Sequence, residues 1–182
     1  MKKLACLFPG IGYTCDKPLL YYSWKMLAQD GWEVIPVNYS GTLFGLPDDR
    51  VIFSARAKAE EILADVKWEE YGSVLFVSKS LGTIVSGIYA REHGIACRNV
   101  LFTPVESTFR EQFTDAVAFN GTADPIADTP LISRLCEEAG IPLHITDGGN
   151  HSLETGDVDA DIREMRKVMK KVREFVTTKS EG

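Results

Sequence analysis

The sequence predicts an α/β fold: a three-layer sandwich of about six mostly parallel strands with helices on both faces. Short apolar runs alternate with amphipathic helical stretches along the chain. The runs are mostly continuous rather than period-two, as strands covered on both faces require. The length of 182 residues, 45% hydrophobic and 25% charged, suits one domain over residues 1–182 with a substantial core.

The expected strands are Leu4–Phe8, Glu33–Asn38, Ser73–Val77, Asn99–Thr103, Ala116–Asn120 and Pro142–Thr146. Between the first two, Leu20, Trp24 and Leu27 fall at helical spacing, with Asp16 as a candidate cap and Pro18 near the first turn. Ile52, Ala55, Ala59, Ile62 and Val66 make a second stripe. Leu81, Ile84, Val85 and Ile88 make a third that stops at Gly94, and Leu131, Leu135 and Cys136 belong to a fourth that stops at Gly140. Val158, Ile162, Met165, Met169, Val172 and Val176 repeat at steps of four and three, the clearest helix of the chain.

The net charge of −6 argues against nucleic acid as a partner, because phosphate binding needs a basic face. Lys167, Lys170 and Lys171 share their helix with Asp161 and Glu164, which reads as a solvated face. The apolar run Leu4–Phe8 is too short for a signal segment, and no stretch approaches a membrane span, so a cytoplasmic location without membrane contact is expected. The four cysteines show neither a Cys-x-x-Cys pair nor zinc-ligand spacing. No metal or cofactor is expected, and Cys6 and Cys136 read as buried thiols. Oligomeric state is not legible.

In a parallel sheet, ligands bind beyond the carboxyl ends of the strands, so the loops after Phe8, Val77, Thr103, Asn120 and Thr146 matter. After the third strand comes Val77-Ser78-Lys79-Ser80-Leu81-Gly82-Thr83, then a helix. Strand, sharp turn and helix with a serine at the turn is the shape of a nucleophile elbow. Small residues are needed two before and two after the serine, because strand and helix nearly touch there; Ser78 and Gly82 fill those places. The usual first glycine is a serine here. The Leu81 N–H opens the helix, where backbone donors are unpaired. Two other readings compete. Ser80 as a plain helix cap fits the local pattern. A P-loop fits Lys79-Ser80, but serines stand at both glycine positions, Ser73 and Ser78.

A serine nucleophile needs a base, and the chain has three histidines. His93 ends a helix and His144 lies inside a strand. His151 sits in Asp147-Gly148-Gly149-Asn150-His151-Ser152-Leu153, a polar loop after the last strand. A carboxylate must fix the tautomer of the base. Asp124, in Asn120-Gly121-Thr122-Ala123-Asp124-Pro125-Ile126 after the fifth strand, is the first candidate. Asp128, which reads as an N-cap, and Asp147 are alternatives. Phe8-Pro9-Gly10-Ile11-Gly12-Tyr13 follows the first strand. Its glycines allow close backbone approach, and the Ile11 N–H is a candidate partner for that of Leu81 in an oxyanion hole. A dinucleotide fingerprint is a poorer fit: Cys15 stands at the third glycine position, and Asn38, Tyr39 and Ser40 offer no acid for a ribose.

Taken together, these four segments resemble the α/β-hydrolase superfamily, whose chain order is glycine loop, nucleophile, acid and base. Within it the chain is most similar to small members related to dienelactone hydrolases and short-chain carboxylesterases. The resemblance implies the strand order 2-1-3-4-5-6, because the extra leading strands of the family are missing. It implies catalytic Ser80, Asp124 and His151 with oxyanion donors Ile11 and Leu81. Histidine is common in the family where Pro9 stands. Between Thr103 and Ala116 there is room for one short helix near Phe109–Phe113 but not for a lid. Substrate contacts are then expected from Tyr13, Cys15, Phe44, Val105, Phe109 and Ile126. The implied activity is hydrolysis of a small soluble ester, thioester or lactone with water through an acyl-enzyme. The alternatives are a catalytically silent binding protein, or an acyltransferase or lyase on the same triad.

Overall fold

The computed structural model describes residues 1–39, 43 and 45–178. Six strands form one sheet: β1 (Lys2–Phe8), β2 (Glu33–Pro36), β3 (Tyr71–Lys79), β4 (Arg98–Phe102), β5 (Ala116–Gly121) and β6 (Leu143–Thr146). Their order is β2-β1-β3-β4-β5-β6 and every pairing is parallel, as the hydrolase resemblance implies. Among the described residues, four α-helices lie between strands, α1 (Pro18–Gln29), α2 (Asp48–Leu63), α3 (Leu81–His93) and α4 (Thr129–Glu138), and a fifth, α5 (Val158–Thr177), follows β6.

The side-chain alternation of each strand divides the core into layers. Ala5 and Leu7 of β1, Leu75 and Val77 of β3, and Val100 and Phe102 of β4 pack against α1 and α5, chiefly Leu20, Leu27, Val168 and Val172. Their neighbours Leu4, Cys6, Phe8, Val74 and Phe76 face α2 and α3, meeting Ala55, Leu63, Val85 and Tyr89. Farther along the sheet, Leu101 and Ala118 pack on Ile132 and Cys136 of α4. Each fully buried leucine contributes about 1.5–3 kcal/mol, so slipping any strand by one residue would cost several such terms at once.

The helix limits follow local chemistry, with some departures from expectation. Lys17, not Asp16, is the N-cap of α1, and it makes no side-chain capping bond; Pro18 opens the helix with its φ already set. Val66 falls beyond the end of α2. Gly94 closes α3 in the left-handed conformation, at φ 61°. Asp128 caps α4 by accepting from the Leu131 N–H at 3.1 Å. The helix expected near Phe109–Phe113 is a short 3-10 helix, Glu106–Arg110, tied down where Thr108 meets Thr83 of α3. Cys15, in the loop between β1 and α1, is buried and turns its thiol to the Leu7 carbonyl. Among the described residues, no helix is long and apolar enough to cross a membrane.

The sheet order reverses direction between β1 and β3, and parallel sheets bind ligands at the carboxyl ends of the strands beside such a point. The loops after β1, β3, β5 and β6 converge beside it.

Candidate active site

Ser80 sits between β3 and α3 at φ 51°, ψ −118°, a conformation that non-glycine residues adopt only when their surroundings enforce it. The Ser80 N–H donates to the Phe102 carbonyl of β4 at 3.0 Å. The Ser80 carbonyl accepts from the Thr83 N–H at 2.9 Å and from the Thr83 hydroxyl at 2.6 Å. Small residues on either side are a steric need. A Cβ on Gly82 would lie 2.1 Å from the Phe8 carbonyl oxygen, because α3 starts directly against the end of β1. Ser78 is fully buried and donates its hydroxyl to the Val100 carbonyl at 3.2 Å, so serine serves there without an unpaired polar atom.

Ser80, His151 and Asp124 form one continuous hydrogen-bonded chain. His151 Nε2 lies 2.8 Å from Ser80 Oγ, and His151 Nδ1 lies 2.7 Å from Asp124 Oδ2. The Asp124 side chain is fully buried, and its other oxygen, Oδ1, accepts from the N–H groups of Ile126 and Ala127 at 2.8 and 3.0 Å. With Asp124 ionised and acceptor-only, Nδ1 carries the proton and Nε2 presents a lone pair to the serine. Burial lowers the His151 pKa below its ordinary value of 6.5, and the Lys79 charge lowers it further; the bond to Asp124 opposes both.

The loops after β5 and β6 are stitched together. A Cβ on Gly121 would fall 2.1 Å from the Gly149 carbonyl oxygen, which itself accepts from the Ala123 N–H at 3.0 Å. Thr122 Oγ1 accepts from the Gly148 N–H at 2.7 Å and donates to Asp147 at 3.1 Å. Asp147 is thereby used in the loop, as Asp128 is used as a cap, and neither meets His151. The Asn150 side chain accepts from the Ser152 and Glu154 N–H groups, closing the turn that presents His151. Of the other histidines, His93 pairs with Glu60 at 2.9 Å and His144 packs beside Phe119 with ring centroids 5.2 Å apart.

The glycine loop presses on the elbow. A Cβ on Gly10 would meet Lys79 Cδ and the Lys79 carbonyl at 3.2 Å and Ser80 Cβ at 3.3 Å. Gly10 and Tyr13 bond to each other across the turn. The buried Tyr39 hydroxyl donates to the Pro9 carbonyl at 2.7 Å and holds the loop from below. Among the described residues, the N–H groups of Ile11 and Leu81 are donated to no acceptor.

The residues expected to touch substrate are distributed unevenly. Ile126 is exposed, and Val105 and Phe109 are half-buried. Cys15 and Tyr13 are buried, the Tyr13 hydroxyl accepting from the Leu19 N–H at 3.0 Å. Phe44 lies outside the described residues. Two residues escaped the sequence reading: Tyr39, seen there only as a missing ribose ligand, and Lys79, seen only as a P-loop fragment. Strand parity places Lys79 on the same face as Leu75 and Val77 and was the available signal. An apolar groove of about 640 Å³ runs between α1 and α5 along Tyr22, Leu153, Ile162 and Met165, starting two residues past His151.

No protein-family model and no curated protein sequence matches the chain. Solved structures do. An α/β serine hydrolase homologue from Coxiella burnetii superposes with a TM-score of 0.69 at 14% identity, covering 94% of this chain and 85% of that one. An α/β serine hydrolase without a lid from Xanthomonas campestris gives 0.65 at 19% identity, covering 98% and 84%. An esterase from Pyrococcus furiosus gives 0.65 at 11% identity, covering 95% and 82%. With its strand order, its elbow between β3 and α3 and these likenesses, the chain has the α/β-hydrolase fold.

Proposed function

We propose that the protein is a serine hydrolase that cleaves a small soluble ester, thioester or lactone through an acyl-enzyme on Ser80. The observation that carries this reading is the unbroken chain Ser80 Oγ–His151–Asp124, with each link at 2.7–2.8 Å. His151 Nε2 takes the hydroxyl proton as Ser80 Oγ bonds to the acyl carbon. Negative charge moves to the former carbonyl oxygen, where the unpaired N–H groups of Leu81 and Ile11 receive it. His151 passes its proton to the leaving group as the acyl bond breaks. Water then attacks the acyl-enzyme, His151 takes its proton, and Ser80 regains it when the acid departs. Asp124 keeps the proton on Nδ1 throughout and stabilises the imidazolium.

Substrate size follows from the surroundings. Between Thr103 and Ala116 the chain builds only the short Glu106–Arg110 helix, and the rim residue Ile126 is open to solvent. Such a mouth suits short acyl groups. The test is hydrolysis of p-nitrophenyl acetate by wild type and Ser80→Ala. Loss of turnover in a variant with an unchanged circular dichroism spectrum supports the reading; retained turnover overturns it.

A further inference from the structure

The peptide unit that joins Ser80 to Leu81 has the Ser80 carbonyl at one end and, at the other, the Leu81 N–H proposed as an oxyanion donor. Such a unit is planar, so whatever fixes the carbonyl also aims the N–H, in the opposite direction. Ser80 holds this plane at φ 51°, ψ −118°, far from the extended dihedrals usual for the residue before a helix. The plane therefore needs support from outside Ser80. Thr83 supplies it twice: its N–H reaches the Ser80 carbonyl at 2.9 Å and its hydroxyl at 2.6 Å. The Thr83 hydroxyl lies 2.5 Å from that of Thr108, whose oxygen accepts from the Val105 N–H at 3.1 Å. Both threonines are fully buried.

The acceptors dictate where the protons lie. A carbonyl only accepts, so the Thr83 hydroxyl proton points to the Ser80 carbonyl. The Thr83 oxygen is then the acceptor toward Thr108, and the Thr108 proton points to it. The bonds run head to tail: Val105 N–H to Thr108, Thr108 to Thr83, Thr83 to the Ser80 carbonyl. A threonine that bonds back across the first turn of a helix is ordinary. The extension through Thr108 and Val105 is not, and α3 needs neither bond to start. In a dry interior each bond of such a chain polarises the next. Electron density drawn onto an amide oxygen leaves the nitrogen poorer, and its N–H becomes a stronger donor. We infer that Thr83 and Thr108 are positioning residues whose relay aims and strengthens the Leu81 N–H as oxyanion donor. The inference rests on the serine-hydrolase reading of Ser80. The relay acts on charge that develops in the transition state, so it belongs in kcat rather than KM.

The test compares wild type with Thr83→Val, Thr83→Ser, Thr108→Val and Thr108→Ser. Ser23→Ala, which deletes a buried hydroxyl on α1, is the control for stability alone. The quantities read are kcat and KM on p-nitrophenyl acetate and Ki for 1,1,1-trifluoro-2-butanone, with circular dichroism as the check on folding. Ser80 Oγ adds to the carbonyl carbon of this ketone, His151 takes the hydroxyl proton, and the ketone oxygen becomes the oxyanion. Loss of an oxyanion donor costs about 10²–10³ in kcat, and each bond of a chain strengthens the next by about 10–30%. Applied to the logarithm of the rate, these figures give a fall in kcat of about two- to eightfold for Thr108→Val. Thr83→Val, which also loosens the carbonyl itself, should cost about tenfold or more. KM should hold within about twofold, Ki should rise as kcat falls, and both serine variants should behave as wild type. Valine variants that match Ser23→Ala overturn the inference, as does a raised KM with kcat unchanged. Serine variants that lose as much as the valines also overturn it, because methyl packing is then the cause. Should Thr83→Val not fold, Thr108→Val against Thr108→Ser decides by the same criteria. If wild type cleaves no ester and takes no fluorophosphonate on Ser80, the serine-hydrolase reading itself fails and takes this inference with it.

Discussion

If Ser80 is the nucleophile proposed above, Asp124→Asn should abolish turnover by reversing a proton, and the hydrogen bonds around Asp124 dictate how. An asparagine has one acceptor oxygen and one donor NH₂ where the carboxylate has two acceptors. The Ile126 and Ala127 N–H groups point at Oδ1 from 2.8 and 3.0 Å, so the amide oxygen must stay with them. The NH₂ then faces His151 Nδ1 at the position of Oδ2, which stood 2.7 Å from it. Two N–H groups cannot share that contact, so Nδ1 gives up its proton and becomes an acceptor. The proton moves to Nε2, 2.8 Å from Ser80 Oγ, and blocks the lone pair that should take the hydroxyl proton. The same tautomer reversal costs about 10⁴ in kcat in a chymotrypsin-like triad. We expect roughly 10³–10⁴ here, equivalent to about 4–5.5 kcal/mol of barrier. The assay is kcat on p-nitrophenyl acetate, with the His151 tautomer read from its ring ¹⁵N shifts. Packing should hardly change, because size and two of the three bonds are kept. Loss below about tenfold, or a proton still on Nδ1, would refute the reasoning, as would a larger effect from Asp128→Asn or Asp147→Asn.

Gly82→Ala drives a Cβ into the Phe8 carbonyl of β1, which is backbone and cannot step aside; destabilisation at or above about 1–3 kcal/mol, seen as a lowered Tm, is expected together with loss of turnover. Tyr39→Phe strips the buried Pro9 carbonyl of a donor, so about 1–3 kcal/mol of stability and part of kcat should be lost, with urea unfolding and initial rates as the measurements. The acid limb of kcat/KM should lie below pH 6.5, because burial and the Lys79 charge favour the neutral imidazole. Activity is then full above that limb and falls as pH drops through it, and Lys79→Met should move the limb upward by removing one of the two causes. Among p-nitrophenyl esters, kcat/KM should peak at short acyl groups, since each added methylene brings about 0.8 kcal/mol only where a wall exists to bury it.

The segments that meet around Ser80 were legible because each is local. An elbow needs a small residue on either side of its serine, and a turn that presents a histidine needs glycines and a capping amide, so Ser78, Gly82, Gly149 and Asn150 mark their own loops. The sheet was legible from continuous apolar runs, and its order from the family resemblance rather than from any pattern in the residues. What stayed hidden depends on contacts between distant segments. Nothing local shows that Gly121 exists because the Gly149 carbonyl lies 2.1 Å from where its Cβ would stand. Nothing local ties Tyr39 to Pro9, thirty residues away in sequence. Lys79 reads in the sequence only as part of a P-loop fragment, and only the packing of Gly10 and Tyr13 over it makes it a buried charge. The first cap failed for a related reason: Pro18 set the start of α1 by its own ring and left Asp16 outside.

The proposed function requires that Ser80 be a nucleophile activated by His151. Treatment with a fluorophosphonate probe, followed by mass spectrometry of the digested protein, tests it most directly. One adduct per chain is expected, on Ser80, formed at wild-type rate only when His151 is intact and abolished by His151→Ala. A folded protein that takes no label, or one labelled at another residue while Ser80 stays unmodified, would contradict it.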